Sequence, residues 1–177
     1  MTSPNCTIEE VNALDRASFV DRFGALYEGS PWIAEAAWVG RPFADRDDLH
    51  RALHAVVERA PQELQLALIR AHPDLVGRAA LAGTLGGPST SEQAAAGLDP
   101  DRLTPDDVVH FAELNAAYRD RFGFPFVICA RDNKKDAILA GFAARLDQPR
   151  DQEIAAALSE IAKICHHRLA DILPEDG

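Results

Sequence analysis

With 28 acidic against 18 basic side chains in 177 residues, the chain has a formal charge of −10. That is too acidic for an extended phosphate-backbone footprint, so nucleic acid is not an expected partner, whereas an anionic small molecule held by a few focused donors is not excluded. The length suits one domain with a substantial core and no metal or disulfide staple, and the three cysteines, Cys6, Cys129 and Cys165, fall in no metal-ligand spacing and fit a reducing compartment.

No apolar run approaches the ~18 residues of a membrane span, and the amino terminus lacks the basic-then-apolar pattern of a secretory signal. A cytoplasmic protein is the expectation. Alanine and leucine are abundant and alternating segments nearly absent, so an all-α, single-domain bundle of about seven to nine helices is predicted.

In chain order, Thr7 with Glu10 resembles a capping box, and Asp15 is placed to cap a helix carrying Phe19, Phe23, Leu26 and Tyr27 that Gly29 closes. Ser30 before Pro31 reads as an N-cap with proline at the first helical position, opening a short helix through Trp38. Asp47 to Arg59 forms the next helix. Pro61 starts another, with Leu64, Leu68 and Ala71 facing inward. Pro73 disfavours a helical conformation at His72, so that helix ends there, and Asp74 is a candidate cap for a turn from Leu75 to Ala82.

Thr104 and Pro105 announce a longer helix whose stripe is Val108, Phe111, Asn115, Tyr118 and Phe122, closed by Gly123. Asn115 on that apolar stripe must satisfy loop backbone or touch a ligand, the first being preferred. Phe124 to Ala130, FPFVICA, is extended in character but too isolated for a sheet, so a buried connector is expected whose amides and carbonyls could serve a ligand. Two helices follow, about Asn133 to Leu146 and Pro149 to Ile172. In the last, Ile154, Leu158, Ile161, Cys165, Arg168 and Ile172 recur at three or four residues, which puts Arg168 on the apolar stripe. An inward arginine needs an anion: a structural acidic partner, a snorkelling exit or a bound ligand all answer that need.

Motif searching works mainly by elimination. Walker, dinucleotide, HExxH, GxSxG and Cys-x-x-Cys patterns are absent from the sequence. His166 and His167 are adjacent and diverge, while His50, His54 and His110 lack a chemical context. Tyr27, Trp32 and Trp38 are assigned to core or interface. What remains is the stretch from Arg70 to Leu98, which joins His72 at a helix end to Ser89-Thr90-Ser91-Glu92-Gln93. Ser89 or Ser91 could cap a helix opening at Glu92. The other reading holds the Glu92 carboxylate beside His72, where it would favour the imidazolium and allow proton exchange near neutral pH.

Arg70-Ala71-His72-Pro73-Asp74-Leu75, the Ser89 to Gln93 segment, Gly97-Leu98, Leu114 to Tyr118, the run Phe122 to Arg131 and the ending Ile161 to Leu169 together resemble the signature of the OHCU decarboxylase family. OHCU is 2-oxo-4-hydroxy-4-carboxy-5-ureidoimidazoline, an intermediate of urate degradation. The resemblance covers about Leu14 to Leu173, with no departure at positions expected to be functional. It implies a cofactor-free helical enzyme, often a homodimer, that converts OHCU to (S)-allantoin and carbon dioxide without a metal. The family's catalytic histidine, glutamate and conserved arginine fall on His72, Glu92 and Arg168. Its substrate contacts correspond to Pro73, to Ser89, Thr90, Ser91, Glu92 and Gln93, to the backbone of Phe126, Val127, Ile128, Cys129 and Ala130, and to Arg168.

Overall fold

The computed structural model describes residues 6–174, and among them helices are the only regular secondary structure, with no strand. Nine α-helices and one single four-residue turn are present: α1 Ile8–Ala13, α2 Arg16–Phe23, α3 Trp32–Ala37, α4 Arg46–Arg59, α5 Gln62–Ala71, the turn α6 Arg78–Leu81, α7 Gly87–Ala95, α8 Pro105–Phe122, α9 Lys135–Leu146 and α10 Arg150–Ile172. They fall into two compact units. One holds the chain up to Leu68 together with the residues from Cys165, and the other is Ile69–Ile164.

In the first unit, α1 begins with the predicted capping box of Thr7 and Glu10, and Asp15 caps α2 by accepting from the Ser18 N–H. Helix α2 is shorter than its periodicity suggests. It stops at Phe23 because the chain turns tightly at Gly24, where a Cβ would stand 2.5 Å from the Val20 carbonyl oxygen and 3.2 Å from Pro31. Leu26 and Tyr27 are buried from that turn instead of from a helix. Ser30 is not a cap. Its hydroxyl donates to the Glu28 carbonyl at 3.1 Å, and Pro31 itself, with φ −61°, stands at the N-cap.

Helix α3 packs on α2 and on α4. Phe19, Phe23, Ile33, Phe43, Leu49, Leu53 and Val57 make the core between them. Trp38 donates its indole N–H to the Leu14 carbonyl at 3.1 Å and takes the Arg41 guanidinium over its ring at 3.8 Å, so it is structural as assigned. His50 stacks on His54 and meets His166 edge-on, with ring centroids 6.4 and 5.1 Å apart.

The second unit is built around Tyr118 of α8, whose ring touches Phe122, Phe124, Phe126 and Phe142 with centroids 4.6 to 6.2 Å apart. Helix α8 begins after Thr104 and ends at Gly123 as its sequence predicts; Thr104 and Asp107 form a reciprocal capping box, and Gly123 has φ +77°, in the left-handed region that glycine adopts without a Cβ penalty. It packs on α9. On α5 the predicted inward face holds at Leu68 but not at Leu64 and Ala71, which are exposed. Among the described residues no helix is long and apolar enough to cross a membrane.

Candidate active site

Helix α5 ends at Ala71, and the His72 N–H reaches back to the Ile69 carbonyl at 3.2 Å, the tightened last turn that Pro73 enforces on its predecessor. His72 is buried, at 6% exposure. The five residues after it, Pro73 to Gly77, form an irregular loop whose Val76 has φ +51°, a left-handed conformation that costs a β-branched residue about 1–2 kcal/mol.

Side chains from two helices hold that loop. Gln93 accepts from the Val76 N–H at 3.0 Å and donates to the Asp74 carbonyl at 3.4 Å. Asn115 donates to the Leu75 carbonyl at 2.9 Å, the loop-backbone role preferred from sequence. Asp74 does not cap the next turn, whose N-cap is Gly77. Its carboxylate is drawn instead to Arg119 on α8 at 2.9 Å.

Helix α7 starts five residues earlier than a cap at Ser91 would allow. Pro88, with its fixed φ, lies in the first turn and Gly86 is the N-cap, so Ser89, Thr90 and Ser91 are helical and none of them caps. The consequence is a two-faced helix. Ser89, Glu92 and Gln93, spaced three and four residues apart, are buried together. Thr90 and Ser91 are exposed and turn their hydroxyls onto their own helix, at 3.2 Å to the Gly86 carbonyl and 3.1 Å to the Gly87 carbonyl.

The FPFVICA run has no regular structure, as expected, and is buried apart from the half-buried Ile128. Its backbone is largely fixed by side chains. Arg145 donates to the Val127 carbonyl at 2.7 Å, the Cys129 N–H donates to Glu160 at 2.8 Å, and Asn133 donates to the Cys129 carbonyl at 2.9 Å. The N–H and C=O of Ile128 and the N–H of Ala130 make no hydrogen bond with any described residue. The run ends in a 3-10 turn, Ala130–Asp132, that packs against α7, and Lys134 just beyond donates to the Ala95 carbonyl at 2.6 Å. Thus the loop after His72, the buried face of α7 and the end of FPFVICA are tied together within one unit.

Beneath the run lies a group absent from the sequence reading. Glu153 is fully buried, accepts from the Tyr118 hydroxyl and is ion-paired with Arg145, whose guanidinium lies 4.4 Å from the centre of the Phe126 ring. Burial first, then the hydrogen bond to Glu153, pushes the Tyr118 hydroxyl well above its ordinary pKa. The signal was present in the sequence. Glu153 stands four residues before Ala157 and eight before Ile161, and Arg145 follows Ile138 and Phe142 by seven and three, so both occupy apolar stripes as Arg168 does. The Cys129 thiol is pushed up to about 12 by burial and then by the charge of Asp132, which leaves it a neutral packing group.

Arg168 belongs to the other unit. It is buried, and its guanidinium donates to the Leu26 carbonyl at 3.2 Å and to the Glu28 carboxylate at 3.0 Å. The anion demanded by its inward position is therefore supplied at least in part by Glu28, from the turn after α2.

Comparison with known proteins bears on the same residues. The family model for OHCU decarboxylase matches residues 12–170. A 2-oxo-4-hydroxy-4-carboxy-5-ureidoimidazoline decarboxylase of Haloferax volcanii is 45% identical over 165 residues, covering 93% of this chain and 95% of the relative. One of Amia calva is 43% identical over 94% of each chain. A crystal structure of (S)-allantoin synthase superposes with a TM-score of 0.73 at 27% identity over 94% of this chain, which spans 53% of that longer one. With the family model matching from α1 into α10 and a relative covered almost end to end, this chain belongs to the OHCU decarboxylase family.

Proposed function

We propose that the chain is a carboxy-lyase that converts OHCU to (S)-allantoin and carbon dioxide, working without a cofactor as a single catalytic domain. The observation that carries this reading is that an acid and a base, Glu92 and His72, are both buried on elements tied to one another. Glu92 lies on the inward face of α7, and the next residue, Gln93, is hydrogen-bonded to the loop that begins at buried His72.

The chemistry needs no external electron sink. The carboxylate of OHCU is on a carbon adjacent to a C=N bond. When the bond to the carboxylate breaks, its electron pair forms a carbon–carbon double bond and the C=N electrons move to nitrogen, which takes a proton. The resulting enol then loses its hydroxyl proton and gains one at the ureido-bearing carbon, giving allantoin. The enzyme's share is to turn the carboxylate out of the ring plane, move those protons and fix the face that receives the last one.

His72 is the proposed general acid/base at the 4-hydroxyl or ring nitrogen, oriented and charged by Glu92. Pro73 and the Ser89 to Gln93 segment line the substrate, with Ser89 the hydroxyl on the inward face. The open backbone groups of Ile128 and Ala130 suit a ring amide, which offers one donor and one acceptor. Arg168, ion-paired with Glu28, is the proposed holder of the carboxylate or ureido group. A cytoplasmic homodimer is the proposed form, and light scattering on the purified chain reads its mass.

Freshly generated OHCU, followed by circular dichroism, is the test. The parent protein should produce the circular-dichroism signal of (S)-allantoin faster than spontaneous decay, and His72→Ala should abolish the acceleration. Single-enantiomer formation at the parent rate by His72→Ala overturns the assignment.

A further inference from the structure

We propose that Asn115 is a positioning residue for His72, acting through the strained loop that follows the histidine. The inference rests on the catalytic reading of His72 given above. Three consecutive loop residues have a backbone group held by a side chain: the Asp74 carbonyl and the Val76 N–H by Gln93, and the Leu75 carbonyl between them by Asn115. Val76, four residues after His72, is held at φ +51°. A valine does not stay in that conformation by preference, so the surrounding bonds must impose it. If the clamp is cut, Val76 relaxes toward negative φ, and the short tether back to His72 carries the shift to the imidazole.

The state of the amide itself argues for function over stability. Asn115 is 7% exposed and its Nδ2 serves Leu75, yet its Oδ1 is buried without a hydrogen-bond partner among the described residues. A buried acceptor left unpaired is a cost that an apolar side chain of the same shape would not carry. The position therefore keeps a destabilising atom in order to make one loop bond. Unlike His72 or Glu92, Asn115 need not touch substrate for this role.

The experiment uses Asn115→Leu in the full chain, read four ways. Because one orphaned polar atom is exchanged for another, the melting temperature should stay within about 3 °C of the parent. Hydrogen exchange at the Val76 amide should accelerate at least about tenfold as the loop opens. The kcat should fall about 100-fold, the scale of a misplaced catalytic group, while KM changes less than about threefold. Adding Val76→Gly, which occupies the left-handed region freely, should recover about tenfold of the lost kcat.

Unchanged exchange at Val76 overturns the clamp, and parental kcat despite faster exchange overturns the positioning role. A melting temperature that collapses in step with kcat, with no recovery by glycine, assigns Asn115 to structure alone and overturns the proposal. Should Asn115→Leu lack a native far-UV spectrum, Asn115→Asp, which keeps the shape and loses the donor, is read in the same way. A parental rate in His72→Ala overturns the catalytic reading together with this inference, whereas unchanged Val76 exchange overturns the inference alone.

Discussion

Glu153→Gln isolates the charge of the buried pair under FPFVICA. The glutamine keeps an oxygen for the Tyr118 hydroxyl but leaves Arg145 without its counter-ion, in a position where the two side chains are 14% and 0% exposed. Breaking such a pair from one side costs about 3–5 kcal/mol, because the remaining charge is stranded in a low-dielectric interior. For a chain of this length each kcal/mol lowers the melting temperature by about 2–4 °C, so a fall of about 6–20 °C is expected. Arg145→Met strands the carboxylate in the same way and also frees the Val127 carbonyl that Arg145 holds at 2.7 Å.

The double variant Arg145→Met/Glu153→Gln strands neither charge, so its loss measured by urea unfolding should fall short of the sum of the singles by about 2–3 kcal/mol. Singles that add within about 0.5 kcal/mol, or a Glu153→Gln melting point within about 3 °C of the parent, would refute a buried, coupled pair.

Two further outcomes follow from local electrostatics. All three cysteines are free and buried, with Cys129 and Cys165 each pushed up to about 12, mainly by burial. A disulfide reagent at pH 8 should therefore label none of them in the native protein and all of them in urea, and rapid native labelling of Cys129 contradicts its packing. Asp107 is held down to about 2 from 3.8, first by the Thr104 N–H and then by Lys135. A depressed carboxyl stabilises the fold above its ordinary pKa and loses that contribution as pH falls through the folded value. The gap in urea midpoint between the parent and Asp107→Asn should be full at pH 6 and close by pH 2; a constant gap removes the ion's role.

The parts of this fold written in neighbouring residues were legible in sequence. The box at Thr7, the helix start at Thr104, the Asp15 cap, the glycine stop at Gly123 and the break at His72 all follow from side chains within a few residues of the backbone they serve. Where two local rules competed, reading failed. Serines before Glu92 look like caps, but Pro88 sits earlier and its fixed φ starts α7 at Gly87. Val76 carries no local sign of a left-handed backbone, since that conformation is imposed by Gln93 and Asn115, 17 and 39 positions on in the chain. Likewise Arg168 was readable as an inward charge, but its partner Glu28 is 140 positions away and could not be named from period alone.

A common reason underlies the unread half. The loop after His72 and the FPFVICA run are irregular backbone in a buried setting, and such backbone cannot pair its own N–H and C=O groups as a helix does. Side chains from the flanking helices and turns must do it, which is why Gln93, Asn115, Arg145, Asn133 and Glu160 all point at main chain. These residues set the place of groups that the proposed chemistry needs while leaving every helix intact. Glu160 separates the two effects well. Its carboxylate, 15% exposed, accepts from the Cys129 N–H at 2.8 Å and is also paired with Lys163 at 2.6 Å. Glu160→Gln keeps an acceptor for the amide and should cost little in KM. Glu160→Leu leaves a buried N–H unpaired, at about 1–3 kcal/mol, and frees the segment that carries Ile128 and Ala130. If that segment reads the substrate ring, the leucine variant should raise KM about tenfold or more with helical content unchanged by far-UV circular dichroism. Equal KM in the glutamine and leucine variants would mean that the FPFVICA backbone is a connector and nothing more.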